Sequence, residues 1–280
     1  METLRENVVA AAKDQYDEQG FCLVDGIYDE RELGEMETFF ESFRASGKAA
    51  FDAGRDYEQI DPTQELLRAM CPHRHDRRVL DWYLHPRVAH VLEVLLGKLP
   101  LAAQSMYYYK PPGSVGQGMH QDDFYLKTRP ARCIAAWTVL DDTDEENGCL
   151  RVMPGSHRDG LVCPDAEHWE DVEHREGGRI NADYLATRTA IPIPMRRGQT
   201  LFFGGYLIHG SEANRSATRC RRTFIGHYVD QDTTSLSEYY HPLLDMDGRA
   251  VGGPAPTPGG GACEGDQFEG EARPFSRRQG

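Results

Sequence analysis

With 280 residues, 39% hydrophobic and 27% charged content, the chain is sized for one large domain or two small ones, and its composition is that of soluble globular proteins. Acidic residues outnumber basic ones 45 to 31, and the formal charge of −14 argues against nonspecific binding to nucleic acid or an anionic membrane. No apolar run approaches bilayer-spanning length and the opening METLRENVVAAAKDQYDEQG lacks the apolar core of a secretory signal, so a cytoplasmic protein is expected.

The first hundred residues read mainly as helices. Residues 5–18 and 29–45 place apolar side chains at helical spacing, with Gly20–Val24 between them as a short strand. Asp29 and Glu32 have the spacing of a capping box for the second helix. Pro86 and Gly97 bracket a further helix over Val88–Leu96.

From about residue 100 the texture changes to short β-rich runs separated by Gly, Pro and Asp. Expected strands are Ala103–Tyr109, Gly118–Tyr125, Cys133–Leu140, Cys149–Met153, Ala190–Pro194, Gln199–Phe203, Tyr206–His209 and Arg221–Val229. Turns are expected at Pro111–Gly113, Asp141–Gly148 and Pro154–Ser156. Many short strands after a helical block indicate a mainly β fold with flanking helices, a sandwich or jelly roll. Residues 158–188 are polar and poor in pattern, a binding loop or an ordinary surface excursion. The chain thus reads as one domain over 1–250, helical over 1–100 with a jelly-roll core over 101–230, and a Gly/Pro-rich tail over 251–280 that is expected to be disordered or loosely docked. The seven cysteines, Cys22, Cys71, Cys133, Cys149, Cys163, Cys220 and Cys263, are scattered without a Cys-x-x-Cys pair and read as reduced thiols.

The chemistry-bearing feature is His120-Gln-Asp122, followed downstream by His209-Gly-Ser211 and Arg221-Arg-Thr223. Two histidines and a carboxylate are the ligand set with which non-haem oxygenases hold Fe(II) while leaving coordination positions open. On a strand, residues i and i+2 share a face, so His120 and Asp122 could reach one metal while Gln121 and Asp123 point away. A second His-x-Asp, His157-Arg-Asp159, follows a turn and has no strand to align its side chains. His209 ends the run Leu201–Ile208 and would be delivered by that strand to the mouth of a barrel; the plainer reading is a hydrogen-bonded histidine at a strand end. Alternation in the last strand puts Arg221, Thr223, Ile225 and His227 on one face and Arg222, Phe224, Gly226 and Tyr228 on the other. Arg221 with Thr223 could offer an ion pair and a hydroxyl to one carboxylate, with Arg222 and then Arg219 as competitors.

These residues carry a resemblance. SMYYYKPPG, MHQDDFYL, AAWTVLDDTDEENGCLRVMPGSHRDG, GQTLFFGGYLIHGSEANRS and RRTF occur in this order, after DQYDEQGFCLVDGIYDERE. Together they resemble the phytanoyl-CoA dioxygenase family over roughly residues 12–230. The resemblance implies a double-stranded β-helix (a cupin-like jelly roll) that uses Fe(II), 2-oxoglutarate as co-substrate, and O₂. By position it implies His120, Asp122 and His209 as iron ligands, and Arg221 and Ser211 as the anchor for the 5-carboxylate of 2-oxoglutarate. Gln104, Trp137 and Lys110 fall where the family lines the co-substrate pocket. SEANRSATRC is slightly longer than usual in the family, which keeps the choice among Arg219, Arg221 and Arg222 open. The segment after His120 lacks the pattern of the ectoine hydroxylase branch, so that substrate is not implied. Related halogenases replace the carboxylate ligand with a small residue; retention of Asp122 therefore points to hydroxylation, desaturation or oxidative cyclisation. A protein of charge −14 with no basic cradle outside residues 215–222 suits a polar small molecule, such as a sugar- or amine-bearing specialised metabolite, better than an acyl-CoA. Residues 158–188 and Phe124–Lys127 are candidates for shaping its pocket. The competing expectations are a jelly-roll metal enzyme that does not use 2-oxoglutarate, and a non-catalytic jelly-roll binding protein.

Overall fold

The computed structural model describes residues 4–45, 67–163, 180 and 182–258. Helix α1 (Glu6–Gln19) ends at Gly20, whose φ of 86° lets its N–H bond to the Tyr16 carbonyl at 2.8 Å. Strand β1 (Phe21–Val24) follows, and α2 (Glu30–Ala45) opens with the expected capping box: Asp29 N–H to Glu32 Oε2 and Glu32 N–H to Asp29 Oδ1, each 2.8 Å. Strand β2 (Arg68–Met70) and helix α3 (Arg77–Tyr83), neither foreseen, precede α4 (Pro86–Leu96), which starts on Pro86 and stops at Gly97.

The β-rich part comprises β3 (Pro100–Lys110), β4 (Gln117–His120), helical turn α5 (Asp123–Leu126), β5 (Ile134–Val139), β6 (Leu150–Val152), short helix α6 (Ala182–Leu185), β7 (Ile191–Ile193), β8 (Thr200–Gly204), β9 (His209–Ser211) and β10 (Arg221–Asp230). A large antiparallel sheet has the order β1-β8-β5-β10-β3-β2, and a smaller one the order β4-β9-β6-β7. This is the double-stranded β-helix, or jelly roll, with helices against the large sheet.

Strand alternation explains why nearly every residue of β5 and β10 is buried. One face of the large sheet sends Met106, Ala135, Trp137, Leu201 and Ile225 toward Leu150, Val152 and Leu207 of the smaller sheet's side. The opposite face sends Tyr107, Ala136, Phe202, Phe224 and Tyr228 against Phe40, Trp82 and Leu92 of the helices. The helical layer therefore acts as a second core behind the sheet that carries half of the site.

Four expectations need correction. The expected strand Gly118–Tyr125 stops at His120 and gives way to α5, because the backbone of Asp122 is already helical (φ −63°, ψ −36°). The expected Tyr206–His209 strand is a turn, with Leu207 N–H bonded to the Gly204 carbonyl, and His209 begins β9 rather than ending the preceding strand. The beginning of the tail is ordered: β12 (Ala255–Thr257) pairs in parallel with β11 (Ser235–Ser237), and Lys127 Nζ bonds to the Pro258 carbonyl. Two neighbouring strands can satisfy each other's backbone even where the side chains offer little core, which composition alone does not reveal. Finally, Cys163 is disulfide-bonded, whereas Cys22, Cys71, Cys133, Cys149 and Cys220 are free. Most of the 158–188 segment and the tail beyond 258 lie outside the described residues. Among the described residues no helix is long and apolar enough to cross a membrane.

Phe40 fixes α2 to the large sheet: its ring stacks on Tyr107 at 3.9 Å with planes 4° apart, and it is 1% exposed. Truncation to alanine would leave a cavity between the layers. Phe40→Ala should destabilise the protein by about 3–5 kcal/mol. A denaturant melt showing less than about 1 kcal/mol would mean that the helical layer does not brace the sheet.

Candidate metal centre

His120 and His209 are brought together by strand pairing, being register partners across β4 and β9. Asp122 joins them because the chain turns immediately after His120: the Tyr125 and Leu126 N–H groups bond to the Asp122 carbonyl at 2.9 and 3.0 Å, and the side chain swings back over the strand end. Asp122 Oδ1 then lies 3.6 Å from Nε2 of both histidines. One donor atom from each of the three residues lies within 4.8 Å of the others, and all three residues are buried. Convergence thus comes from a strand end and a helical turn, not from i, i+2 parity along a continuous strand.

The flanking residues Gln121 and Asp123, expected to point away from the metal, are both buried. The Gln121 amide donates to the Gly160 and Tyr206 carbonyls at 2.8 and 2.7 Å and accepts from Val162 N–H, tying the 160s loop to the site. Asp123 is buried and accepts from Thr128 Oγ1 at 2.5 Å; burial pushes its pKa up to about 6. His157 packs on the α1 terminus, where a side chain on Gly20 would collide with its ring, and Asp159 pairs with Arg188 and Tyr184. The second His-x-Asp is therefore structural.

Both candidate imidazoles are oriented by the backbone. His120 Nδ1 lies 2.8 Å from the Gly118 carbonyl and His209 Nδ1 lies 2.9 Å from the Leu207 carbonyl. A carbonyl can only accept, so the ring proton sits on Nδ1 and the Nε2 lone pair faces Asp122 and the shared space. Burial, reinforced by His209, pushes the His120 pKa down to about 3, so the ring is neutral at ordinary pH. Burial alone would raise Asp122, but His209, His227 and His120 overcome it and hold the group below the usual carboxylate range. Two imidazoles oriented with Nε2 inward and one carboxylate are the donor set that suits Fe(II). The Gln117 amide nitrogen lies 3.3 Å from His120 Nε2, beside the same space.

The three arginines have different surroundings. Arg219 pairs with Asp144 and Glu146, and Arg222 with Asp141, Glu37 and Glu41. Arg221 is 3% exposed and, among the described residues, has no carboxylate within ion-pair distance and no acceptor for Nε; Nη1 donates to the Gly148 carbonyl at 3.0 Å, and the guanidinium lies 5.3 Å from the Trp137 ring centroid. Burial lowers its pKa to about 10, which still leaves it charged near neutrality. Thr223 Oγ1, two residues on along the same strand face, is also buried without a partner, as is Gln104 Nε2 on the neighbouring β3. Lys110 Nζ, also buried, donates to Ser211 Oγ at 2.9 Å and to the Glu212 carbonyl at 3.2 Å. Arg221, Thr223, Gln104 and Trp137 therefore lie on the inner face of the large sheet, with Ser211 across from them on β9. His227 and Gln117 were given no role from sequence. His227 was legible as an inward residue by strand parity, but its neighbour Asp122 is 105 positions away, and only the fold brings the two together.

A jelly roll carrying two inward-facing imidazoles and a carboxylate at one end of its inner space belongs to the class of folds that hold non-haem iron. The family model described as "Phytanoyl-CoA dioxygenase (PhyH)" matches residues 16–223, and the chain belongs to that family. It is accordingly a non-haem Fe(II)/2-oxoglutarate-dependent dioxygenase, with Fe(II), 2-oxoglutarate and O₂ as its cofactor and co-substrates. It is 27% identical over 269 residues to peroxisomal phytanoyl-CoA dioxygenase of Bos taurus, covering 86% of this chain and 77% of that one. It is 31% identical over 160 residues to phytanoyl-CoA dioxygenase domain-containing protein 1 of Danio rerio, covering 54% and 53%. Among solved structures, the fold is shared with the α-ketoglutarate-dependent carbocyclase SnoK from nogalamycin biosynthesis (TM-score 0.66, 20% identity, 95% of each chain). It is also shared with the epimerase SnoN in complex with Fe³⁺, α-ketoglutarate and nogalamycin RO (TM-score 0.66, 19% identity, 94% and 98%).

Gly148 links the arginine to the rest of the site. Its φ is +77°, and an added Cβ would lie 2.5 Å from the Glu212 carbonyl oxygen, which also accepts from Lys110. Gly148→Ala should destabilise the fold by about 1–3 kcal/mol through strain and this collision. A thermal melt indistinguishable from wild type would show that the loop relaxes freely.

Proposed function

We propose that His120, Asp122 and His209 hold the iron, and that Arg221 anchors the 5-carboxylate of 2-oxoglutarate with help from Thr223 and Ser211. The observation carrying this reading is the buried, uncompensated Arg221 guanidinium. An isolated buried charge is costly and persists where an anion completes it. The unpartnered Nε and the Thr223 hydroxyl are suitable donors for one carboxylate. Trp137 covers the guanidinium with an aromatic face, and Gln104 and Lys110 supply further polar groups near the co-substrate.

When bound, Fe(II) with 2-oxoglutarate supplies O₂-activating chemistry that oxidises an unactivated C–H bond. The chain's own residues bind the co-substrate at one end, orient the metal-facing imidazoles through backbone carbonyls, and exclude water with the apolar inner faces of both sheets. Retained Asp122 favours hydroxylation, desaturation or oxidative cyclisation over halogenation.

The substrate we propose is a polar small molecule, possessing sugar or amine groups, of specialised metabolism. Two lines support it. SnoK and SnoN, which share the fold, come from nogalamycin biosynthesis, and SnoN binds nogalamycin RO. The basic residues that an acyl-CoA phosphate would need are already engaged: Arg215 reaches Glu212, and Arg219 and Arg222 pair with the acids named above.

Arg221→Ala should weaken 2-oxoglutarate binding by at least about tenfold, worth roughly 1.4 kcal/mol, while leaving the unliganded protein at least as stable, because an unpaired buried charge is removed. Anaerobic titration of the Fe(II) protein, followed by the visible charge-transfer band, measures this; an unchanged titration would remove Arg221 from the co-substrate site. A screen for substrate-dependent succinate release, with phytanoyl-CoA as one member, addresses the substrate. The KM of a cationic hit should rise with ionic strength, and salt-insensitive turnover, or preference for the acyl-CoA, would count against the proposed class.

A further inference from the structure

His227 lies on the inner face of β10, is 3% exposed, and places Nε2 3.1 Å from Asp122 Oδ2. The other oxygen of that carboxylate, Oδ1, is the one 3.6 Å from both His120 Nε2 and His209 Nε2. The two oxygens of Asp122 thus have separate neighbours, one toward the candidate ligand set and one toward a third imidazole. We infer that His227 is a positioning residue, whose Nε2–H holds Oδ2 so that Asp122 offers a metal one oxygen only. The inference rests on the proposed ligand assignment.

At 3.1 Å from Asp122 Oδ2, Nε2 is within hydrogen-bond distance of an atom that can only accept, so the proton is on Nε2. This is the opposite tautomer to His120 and His209, whose Nδ1 protons face backbone carbonyls. The difference is local: no carbonyl accepts from His227 Nδ1, which is buried without a partner. The backbone of His227 is held firmly enough for such a role. It pairs with Gln104 on one side and Ala135 on the other, and Tyr83 Oη donates to its carbonyl at 2.9 Å. Tyr228 Oη donates back to the Tyr83 carbonyl at 2.6 Å, locking this end of β10 onto α3.

The consequence concerns the open coordination positions. A carboxylate that chelates through both oxygens takes one position more than a carboxylate bound through one. The co-substrate and O₂ would both need open positions on the metal. A group that occupies Oδ2 keeps the additional position available without touching either co-substrate.

The test uses the full-length protein with Co(II) as metal probe, whose d–d absorption reports coordination number. Wild type, Asp122→Ala, His227→Leu and His227→Gln are compared by chelator competition, d–d spectrum and thermal melt. Asp122→Ala tests the underlying assignment separately: retention of wild-type Co(II) affinity there would overturn the ligand set, and with it this role. Given a metal site that depends on Asp122, His227→Leu should bind Co(II) roughly 10–100-fold more weakly, with a changed d–d band, and His227→Gln, which keeps an N–H donor, should recover most of the affinity and the wild-type band. A folded His227→Leu with unchanged affinity and band overturns the proposal. If the leucine variant does not fold, His227→Gln decides: a wild-type affinity and band support the role, and a folded protein with both altered overturns it.

Discussion

Two imidazoles can share a small, buried space only if both are neutral and both lone pairs point inward. Everything around His120 and His209 enforces this. Strand pairing across β4 and β9 makes them register partners, and the two carbonyls at Gly118 and Leu207 each take an Nδ1 proton. Charging one ring would place a cation against its buried neighbour, and burial holds the His120 proton off. Asp122 supplies the single negative charge, and the surrounding imidazoles keep it ionised. The arrangement costs folding energy that ordinary packing must offset.

That offset comes from the layered architecture. The large sheet is apolar on both faces, one toward the smaller sheet and one toward α2, α3 and α4. Polar groups on its inner face include Gln104, Lys110, Arg221, Thr223 and His227, positions where strand parity and the proposed site chemistry coincide. Gln104, Arg221, Thr223 and His227 each carry a buried atom without a hydrogen-bond partner among the described residues, as do Asp123, Thr143, His157, His241 and Thr257 elsewhere in the fold. The four on the inner face share one surface beside the His120, Asp122 and His209 cluster, where a polar ligand could complete them.

How much of this was legible in the sequence depended on the range of the controlling interaction. Helix boundaries at Gly20, Asp29, Pro86 and Gly97 were readable, because caps and breakers act within a few residues. The inward face of β10 was readable from alternation, and the ordered motifs tied His120, Asp122 and His209 together. The shape of the His120–Leu126 segment was not. Asp-Asp-Phe-Tyr-Leu continues a strand as plausibly as it starts a helical turn, and tertiary contacts, including Asp123 N–H to the Gly205 carbonyl, decide between them. β2, the β11–β12 pair and the role of His227 depend on distant chain segments, which one-dimensional patterns cannot place.

The three neighbouring arginines show how a single stretch divides electrostatic labour. Strand parity turns Arg222 to the helical face, where Glu37, Glu41 and Asp141 meet it, while Arg219 stays in the preceding loop with Asp144 and Glu146. Their charges are neutralised locally and add little field to the interior. Arg221, one residue from Arg222, is rotated into the barrel, where it meets the Gly148 carbonyl at 3.0 Å and the Trp137 ring rather than an ion-pair partner among the described residues. A net charge of −14 would repel a dicarboxylate in solution, so under the proposed assignment 2-oxoglutarate would be captured by this enclosed cation and by iron rather than by long-range attraction. The same surface would attract cations, so the polarity of the co-substrate and that of the proposed substrate can be opposite without conflict: on this reading one is selected by a buried group, the other by the field outside.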